Sequence, residues 1–274
     1  MELEINGKKY NIKEYACSPC REFPFYINIT NICNAKCKFC SNECNKNFGK
    51  LNLEELENII NIVHDKISRF SISGGETLLN CENLENLLIL LKKYNPRITL
   101  NTNGILLEKT LPMLNNYPIE SIQLSRHHYL DEKNNEVFQT ETISLNTIKK
   151  LKSKADLRIN CLLIKDYIDS KEEVIKFLES LNDTPINQVG FISMMQVNDY
   201  TKDNFVNYKD IVNKFDDEFM LTKKMADQDR CTCDNYVYIT TTGKPIFVYF
   251  RYTKKYQEGG RSLFYDSAGL KEGY

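Results

Sequence analysis

Three cysteines, Cys33, Cys37 and Cys40, lie in the stretch ICNAKCKFCSN, with three and then two residues between them. Thiolates are soft ligands suited to transition metals. Three of them can ligate three irons of a [4Fe–4S] cluster, and the fourth iron then keeps an open coordination position. Such a vacancy is where a cofactor or substrate can bind, whereas four thiolates suit a closed electron-transfer cluster. Four more cysteines are paired by spacing: Cys17 and Cys20 as C-x2-C, and Cys231 and Cys233 as C-x-C. Together they could hold a second iron–sulfur cluster or a zinc ion; the alternative is reduced thiols packed as small apolar groups. The most unusual polar stretch is SRHHYLDEKNN, which carries two of the three histidines of the chain. Its Arg126 could hold a carboxylate or phosphate, and His127 or His128 could move a proton.

These groups need a scaffold, and the sequence predicts an alternating one. FPFYINIT places Phe23, Phe25, Ile27 and Ile29 two apart, as in a strand. The cysteine stretch follows, and then Leu53, Leu56, Ile60, Val63 and Ile67 recur every three or four residues, the stripe of an amphipathic helix. RFSIS, RITLNTNG, ESIQLS, DLRINCLLI and NQVGFISMM read as further strands. Helices are expected over 81–94, about 105–115, 142–153, 171–181 and 205–219. Six strand–helix units between about 23 and 220 imply parallel strands with helical crossovers. The expected fold is therefore α/β, a partial (β/α)6 barrel, with chemistry at the C-terminal ends of its strands. Residues 1–22 form an N-terminal extension and 221–274 a C-terminal one, in which NYVYITTTGKPIFVYF reads as a strand pair turning near Thr242-Gly243. The tail is expected to cover part of the open side or the barrel mouth.

Composition narrows the class. With 36 basic and 37 acidic residues the net charge is −1, which supplies no global attraction to nucleic acid or an anionic membrane. No apolar run reaches the roughly 18–20 residues that span a bilayer, and the polar N-terminus lacks the apolar core of a signal peptide. A cytoplasmic location is expected, where ten cysteines argue for metal binding or catalysis more than for disulfides. The abundance of Asn, Lys and Ile is read as a bias of the source genome.

CNAKCKFC, with Phe39 in its aromatic position, resembles the C-x3-C-x-aromatic-C signature of the radical S-adenosylmethionine (radical SAM) superfamily. The spacing is not a ferredoxin spacing, so the cluster rests on this resemblance as well as on the thiols. SGGE (Ser73–Glu76), after the second strand, is similar to the glycine motif with which the family holds the methionine amino group. NTNG (Asn101–Gly104), with Asn103, is similar to the molybdenum-cofactor-biosynthesis branch, and the resemblance covers about 23–195. It implies a [4Fe–4S] cluster on Cys33, Cys37 and Cys40 and S-adenosylmethionine held by Phe39, Gly74, Gly75, Glu76 and Asn103. By rough alignment it adds Ser125 and Asn160 as contacts to ribose or carboxylate, and GFISMM as a flank for adenine. Gly74 and Gly75 are expected to let the backbone approach the ligand closely. SRHHYLDEKNN departs from the family's commoner S-L-D or S-I-D endings.

The family's chemistry is reductive cleavage of S-adenosylmethionine to methionine and a 5′-deoxyadenosyl radical, which abstracts hydrogen from a substrate. An electron donor such as flavodoxin or ferredoxin is implied. The segment of about 22 residues before the barrel is short for a separate peptide-recognition domain. That favours a small polar substrate, such as a nucleotide, sugar or amino acid derivative, over a peptide. A different class, an iron–sulfur electron carrier or metal-binding module, is disfavoured by the open cluster position and the GGE motif.

Overall fold

Asn6 and Gly7 take positive φ values of 52° and 73° and turn the chain between β1 (Glu2–Ile5) and β2 (Lys8–Asn11). Asn-Gly is the dipeptide this tight hairpin favours, because both of its central residues must be left-handed. The protein is described by a computed structural model over residues 2–12, 23–41, 49–67, 69–217, 219–221, 233–252 and 262–273.

The alternating units follow. β3 (Pro24–Asn28) leads through the cysteine loop to α1 (Leu53–Val63), then β4 (Arg69–Ser73), α2 (Cys81–Lys92) and β5 (Arg97–Thr102). Next come α3 (Leu107–Leu114), β6 (Ile119–Ser125), α4 (Asp131–Phe138), α5 (Leu145–Lys150) and β7 (Asp156–Leu163). They are followed by α6 (Lys171–Glu179), β8 (Gln188–Ser193), α7 (Asp199–Asp203) and α8 (Tyr208–Val212). The tail supplies β9 (Phe219–Leu221), β10 (Asp234–Ile239), β11 (Pro245–Tyr252), β12 (Ser262–Asp266) and β13 (Gly269–Gly273). One sheet of the described residues has the order β13-β12-β3-β4-β5-β6-β7-β8-β11-β10-β9. Strands from β12 through β11 in that order are parallel, and the sheet is open.

One face of the sheet packs on the helices. Phe25 and Ile27 of β3, Phe70 and Ile72 of β4, and Ile98 and Leu100 of β5 are buried there, in one cluster with Leu56, Ile59 and Ile60 of α1. Each such side chain contributes roughly 1.5–3 kcal/mol on burial, and truncating one to Ala would cost about 2–5 kcal/mol. The intervening residues form the inner face, which is polar: Asn28 lies beside Ser73, and Ser125, Asn160, Gly190 and Tyr249 run across four strands in register.

Several expectations are corrected. The helix expected over 205–219 is the five-residue α8, and its apolar end instead enters β9. Phe215 and Phe219 stack there with centroids 3.8 Å apart, a pairing that helical spacing mimicked. The β10–β11 pair forms as expected, with Gly243 left-handed at its turn. Beyond that pair the tail forms a second hairpin, β12 with β13. Of the two places expected for it, the open side and the mouth, the tail takes the open side: it pairs β12 with β3 and β11 with β8, adding strands to both edges of the six-strand unit. The abundant asparagines also have work in the fold, since Asn52, Asn80, Asn198 and Asn207 cap α1, α2, α7 and α8 through their side chains.

Candidate functional site

The loops that leave β3, β4 and β5 at their C-terminal ends are interlocked. The cysteine loop departs from β3 and is held at once by the SGGE turn: Gly75 N donates to Thr30 O at 2.6 Å and Glu76 N to Ile32 O at 2.9 Å. The crossing is so close that a Cβ on Gly75 would lie 2.2 Å from Ile32 O, and one on Gly74 2.3 Å from Thr30 O. Gly74 also takes a φ of +145°, which other residues rarely adopt. The two glycines therefore make room for the cysteine loop itself.

Glu76 is the hub behind this crossing. It is 1% exposed. Its Oε1 accepts from Leu78 N at 3.0 Å and Thr102 Oγ1 at 2.6 Å, and its Oε2 from Asn103 N at 2.7 Å. Burial raises the carboxyl pKa, against the pull of these donors. A carboxylate has about four acceptor positions, so one remains for a further donor. Nearby, Asn28 Oδ1 is a buried acceptor with no partner among the described residues.

The loop is clamped on its other side by α4. Lys36 N donates to Phe138 O at 3.1 Å, and the Phe39 ring meets His127 edge-on at 4.9 Å. His127 in turn stacks on Phe138 at 4.9 Å with only 2° between the rings. From the far end, Asn198 Nδ2 donates to Lys38 O at 3.0 Å. Within the loop Cys40 N donates to Cys37 O at 3.2 Å, and Ala35 N to Cys33 Sγ at 3.4 Å. Asn103 Nδ2 reaches Asn34 Oδ1 at 2.7 Å and Cys33 Sγ at 3.8 Å. Burial raises the Cys33 thiol pKa, while the N–H groups of Ala35 and Asn103 act in the opposite sense.

Arg126, His127 and His128 are all buried, and their surroundings do not match the chamber-facing role expected of them. Arg126 is 1% exposed, and its guanidinium donates to Ile143 O, Tyr129 O and Asp131 Oδ1. It fastens the start of α4, which begins inside the polar stretch SRHHYLDEKNN. His127 Nδ1 accepts from Leu162 N at 3.1 Å, so the neutral ring carries its proton on Nε2. Burial, with the Arg126 charge beside it, holds the His127 pKa down to about 3, which removes the imidazolium as a proton donor at neutral pH. His128 Nδ1 accepts from Leu130 N at 2.9 Å, and burial lowers its pKa as well.

Further along the inner face, Ser125 and Asn160 are register partners. Asn160 Oδ1 accepts from the hydroxyl of Tyr249 at 2.8 Å. Tyr249 belongs to β11, and its ring fills the space that a Cβ on Gly190 would occupy, at 2.1 Å. Sequence reasoning missed Tyr249, Asn34, Thr102 and Phe138. The alternation in PIFVYFRY was the one available signal for Tyr249, since it sets Phe247, Tyr249 and Arg251 on one face.

The structure thus brings Cys33, Cys37, Cys40, Phe39, Gly74, Gly75, Glu76 and Asn103 into one interlocked group of loops, with Ser125 and Asn160 on the inner face at neighbouring strands. Cys17, Cys20 and Cys231 lie outside the described residues; Cys233 is buried just before β10. No three His, Cys, Asp or Glu side chains among the described residues are grouped tightly enough to hold a single metal ion. Three thiols on one loop are instead the donor set of a larger cluster. The spare acceptor position on Glu76 and the unpaired Asn28 Oδ1 suit an amino group beside it. These residues fit a [4Fe–4S] cluster with an amino acid-bearing cofactor. No helix among the described residues is long and apolar enough to cross a membrane.

Comparison with known proteins agrees with this reading. The profile of the Radical SAM superfamily matches residues 27–192. The chain is 27% identical over 203 residues to the GTP 3′,8-cyclase of Alkaliphilus oremlandii, covering 69% of this chain and 62% of that protein. It is 26% identical over 207 residues to the GTP 3′,8-cyclase of Aquifex aeolicus, covering 70% and 64%. The chain thus spans somewhat over three fifths of the length of these curated relatives. Among solved structures it shares its fold with Streptococcus suis SuiB bound to S-adenosylmethionine, at a TM-score of 0.58 and 23% identity, covering 68% of this chain and 44% of that one.

Proposed function

The chain belongs to the radical SAM superfamily, and from that premise we propose that it is an enzyme that generates a substrate radical from S-adenosylmethionine, acting on a small polar substrate of the nucleotide class. When bound, a [4Fe–4S] cluster with S-adenosylmethionine supplies the 5′-deoxyadenosyl radical that abstracts hydrogen from the substrate. Cys33, Cys37 and Cys40 are the residues that would hold the cluster. Glu76, fixed by three donors, keeps one acceptor position for the methionine amino group. Gly74 and Gly75 set the distance between that carboxylate and the thiol loop. Ser125 and Asn160 would take the ribose or carboxylate, with Asn160 oriented by Tyr249.

The observation that carries this reading is the crossing of the SGGE turn under the cysteine loop, bonded at Gly75 N and Glu76 N. It joins the thiols and the amino-group acceptor into one rigid unit, which an electron carrier has no need of. The nucleotide class rests on the polar inner face of the sheet and on the likeness to proteins named GTP 3′,8-cyclase. A one-electron donor such as flavodoxin or ferredoxin completes the scheme.

The test is anaerobic reconstitution with iron and sulfide, reduction, and chromatography for 5′-deoxyadenosine with and without GTP. About four irons per chain and 5′-deoxyadenosine formation are expected, with GTP increasing the yield. An iron-loaded protein that forms none is an electron carrier, and one indifferent to GTP acts on another substrate.

A further inference from the structure

Asn103 connects the motif after β5 to the first cysteine, and no atom of its side chain is idle. Its Oδ1 accepts from Ile105 N at 3.0 Å, and its Nδ2 donates to Asn34 Oδ1 at 2.7 Å and lies 3.8 Å from Cys33 Sγ. Its backbone N–H is held by Glu76 Oε2 at 2.7 Å, and the residue is 8% exposed. The carboxamide is therefore fixed in rotation, with its two N–H bonds directed at two neighbouring residues of the thiol loop. Ala35 N adds a second N–H toward the same sulfur.

We propose that Asn103 is a positioning residue for Cys33: it aligns the thiolate through Asn34 and, through its N–H···S bond, raises the reduction potential of the cluster. The inference rests on the cluster assignment above. Reduction adds negative charge that is shared with the sulfur ligands. An N–H dipole pointed at a ligand sulfur favours the more negative state, and hydrogen bonds to sulfur are one of the protein's means of setting these potentials. The effect is larger in a buried site, where water does not screen it.

The two partners of the same NH2 group can be separated. Asn103→Leu keeps approximate size and removes both donors; Asn34→Ala removes one acceptor and leaves the donor to sulfur. After anaerobic reconstitution, iron and sulfide are counted and the cluster is titrated against redox mediators by EPR. In Asn103→Leu the ratio of reduced to oxidised cluster at a fixed solution potential should fall about threefold to tenfold, the larger figure corresponding to about 59 mV for a one-electron couple. In Asn34→Ala it should stay within about twofold. An unmoved potential in loaded Asn103→Leu, or an equal shift in both variants, overturns the proposal.

A reading on the unaltered protein covers the case in which Asn103→Leu fails to load. With asparagine side-chain nitrogen labelled with 15N, the reduced cluster should show a hyperfine-coupled 15N. Its absence overturns the sulfur bond. Wild-type protein that takes up no iron fails the underlying cluster assignment, and this inference with it.

Discussion

Glu76 sits where three donors converge, and its neighbours define what each change there must do. In Glu76→Gln one oxygen becomes an NH2 group, which must face either the Leu78 N–H and Thr102 hydroxyl or the Asn103 N–H. An unpaired buried donor costs about 1–3 kcal/mol, so the variant should unfold at lower temperature and bind S-adenosylmethionine more weakly, as read by calorimetry. His127 gives a pH signature. Its folded pKa of about 3 lies below its ordinary value of 6.5. Its contribution to stability is thus complete above about pH 6.5 and is lost as the pH falls toward 3, because unfolding then takes up a proton. His127→Phe should flatten that part of the acid unfolding curve, while being less stable at pH 8 because Leu162 N loses its acceptor. An unchanged slope would contradict the neutral, buried ring. The motif residues were legible from sequence because their types and spacing are fixed by chemistry. The roles of Arg126 and His127 were not: Leu162 and Ile143 are remote in sequence, and the nearer partners of Arg126, Tyr129 and Asp131, bind it only because α4 starts there, which sequence did not predict. Polarity alone cannot separate a charge that faces a chamber from one that fastens a helix.

At the level of elements, the loops depend on close approaches that only glycine allows. Gly75→Ala forces a methyl group into Ile32 O. Backbone has to move on both sides, so a loss of about 2–4 kcal/mol and a several-fold drop in reconstituted iron are expected; normal iron content would mean the loops adjust freely. Gly190→Ala meets a side chain instead, the Tyr249 ring. It should displace the ring and mimic Tyr249→Phe, which removes the bond to Asn160. Both variants should weaken S-adenosylmethionine binding, by a factor of about 2–10 for a lost hydrogen bond of 0.5–1.5 kcal/mol. If Tyr249→Phe binds as wild type does, the inner-face role of β11 fails. The alternating strands were readable because β3, β6 and β7 carry alternation in burial, while β4, β5 and β8 are short buried runs bounded by turn residues. The β1–β2 hairpin had its signal in Asn6-Gly7 and was passed over because its strands are so short. The helix expected over 205–219 fails because aromatic spacing along it satisfies two structures equally well.

Across the whole molecule, the tail determines what the six-strand unit exposes. β12 covers the edge of β3 and β11 covers the edge of β8. Unpaired edges of parallel strands are templates for aggregation, so a chain ended after residue 220 should aggregate where the full chain stays monodisperse, as size-exclusion chromatography would report. β11 and β12 are consecutive in the chain, yet they lie at opposite ends of the parallel run. About ten Cα steps separate Tyr252 from Ser262, so these points can never be more than roughly 36 Å apart. A parallel run that no hydrogen bond among the described residues closes is therefore hooped by covalent bonds. The two ends of the parallel run can breathe only within the length of that tether, and cutting the chain between them would release a limit on opening while leaving every pairing among the described strands in place.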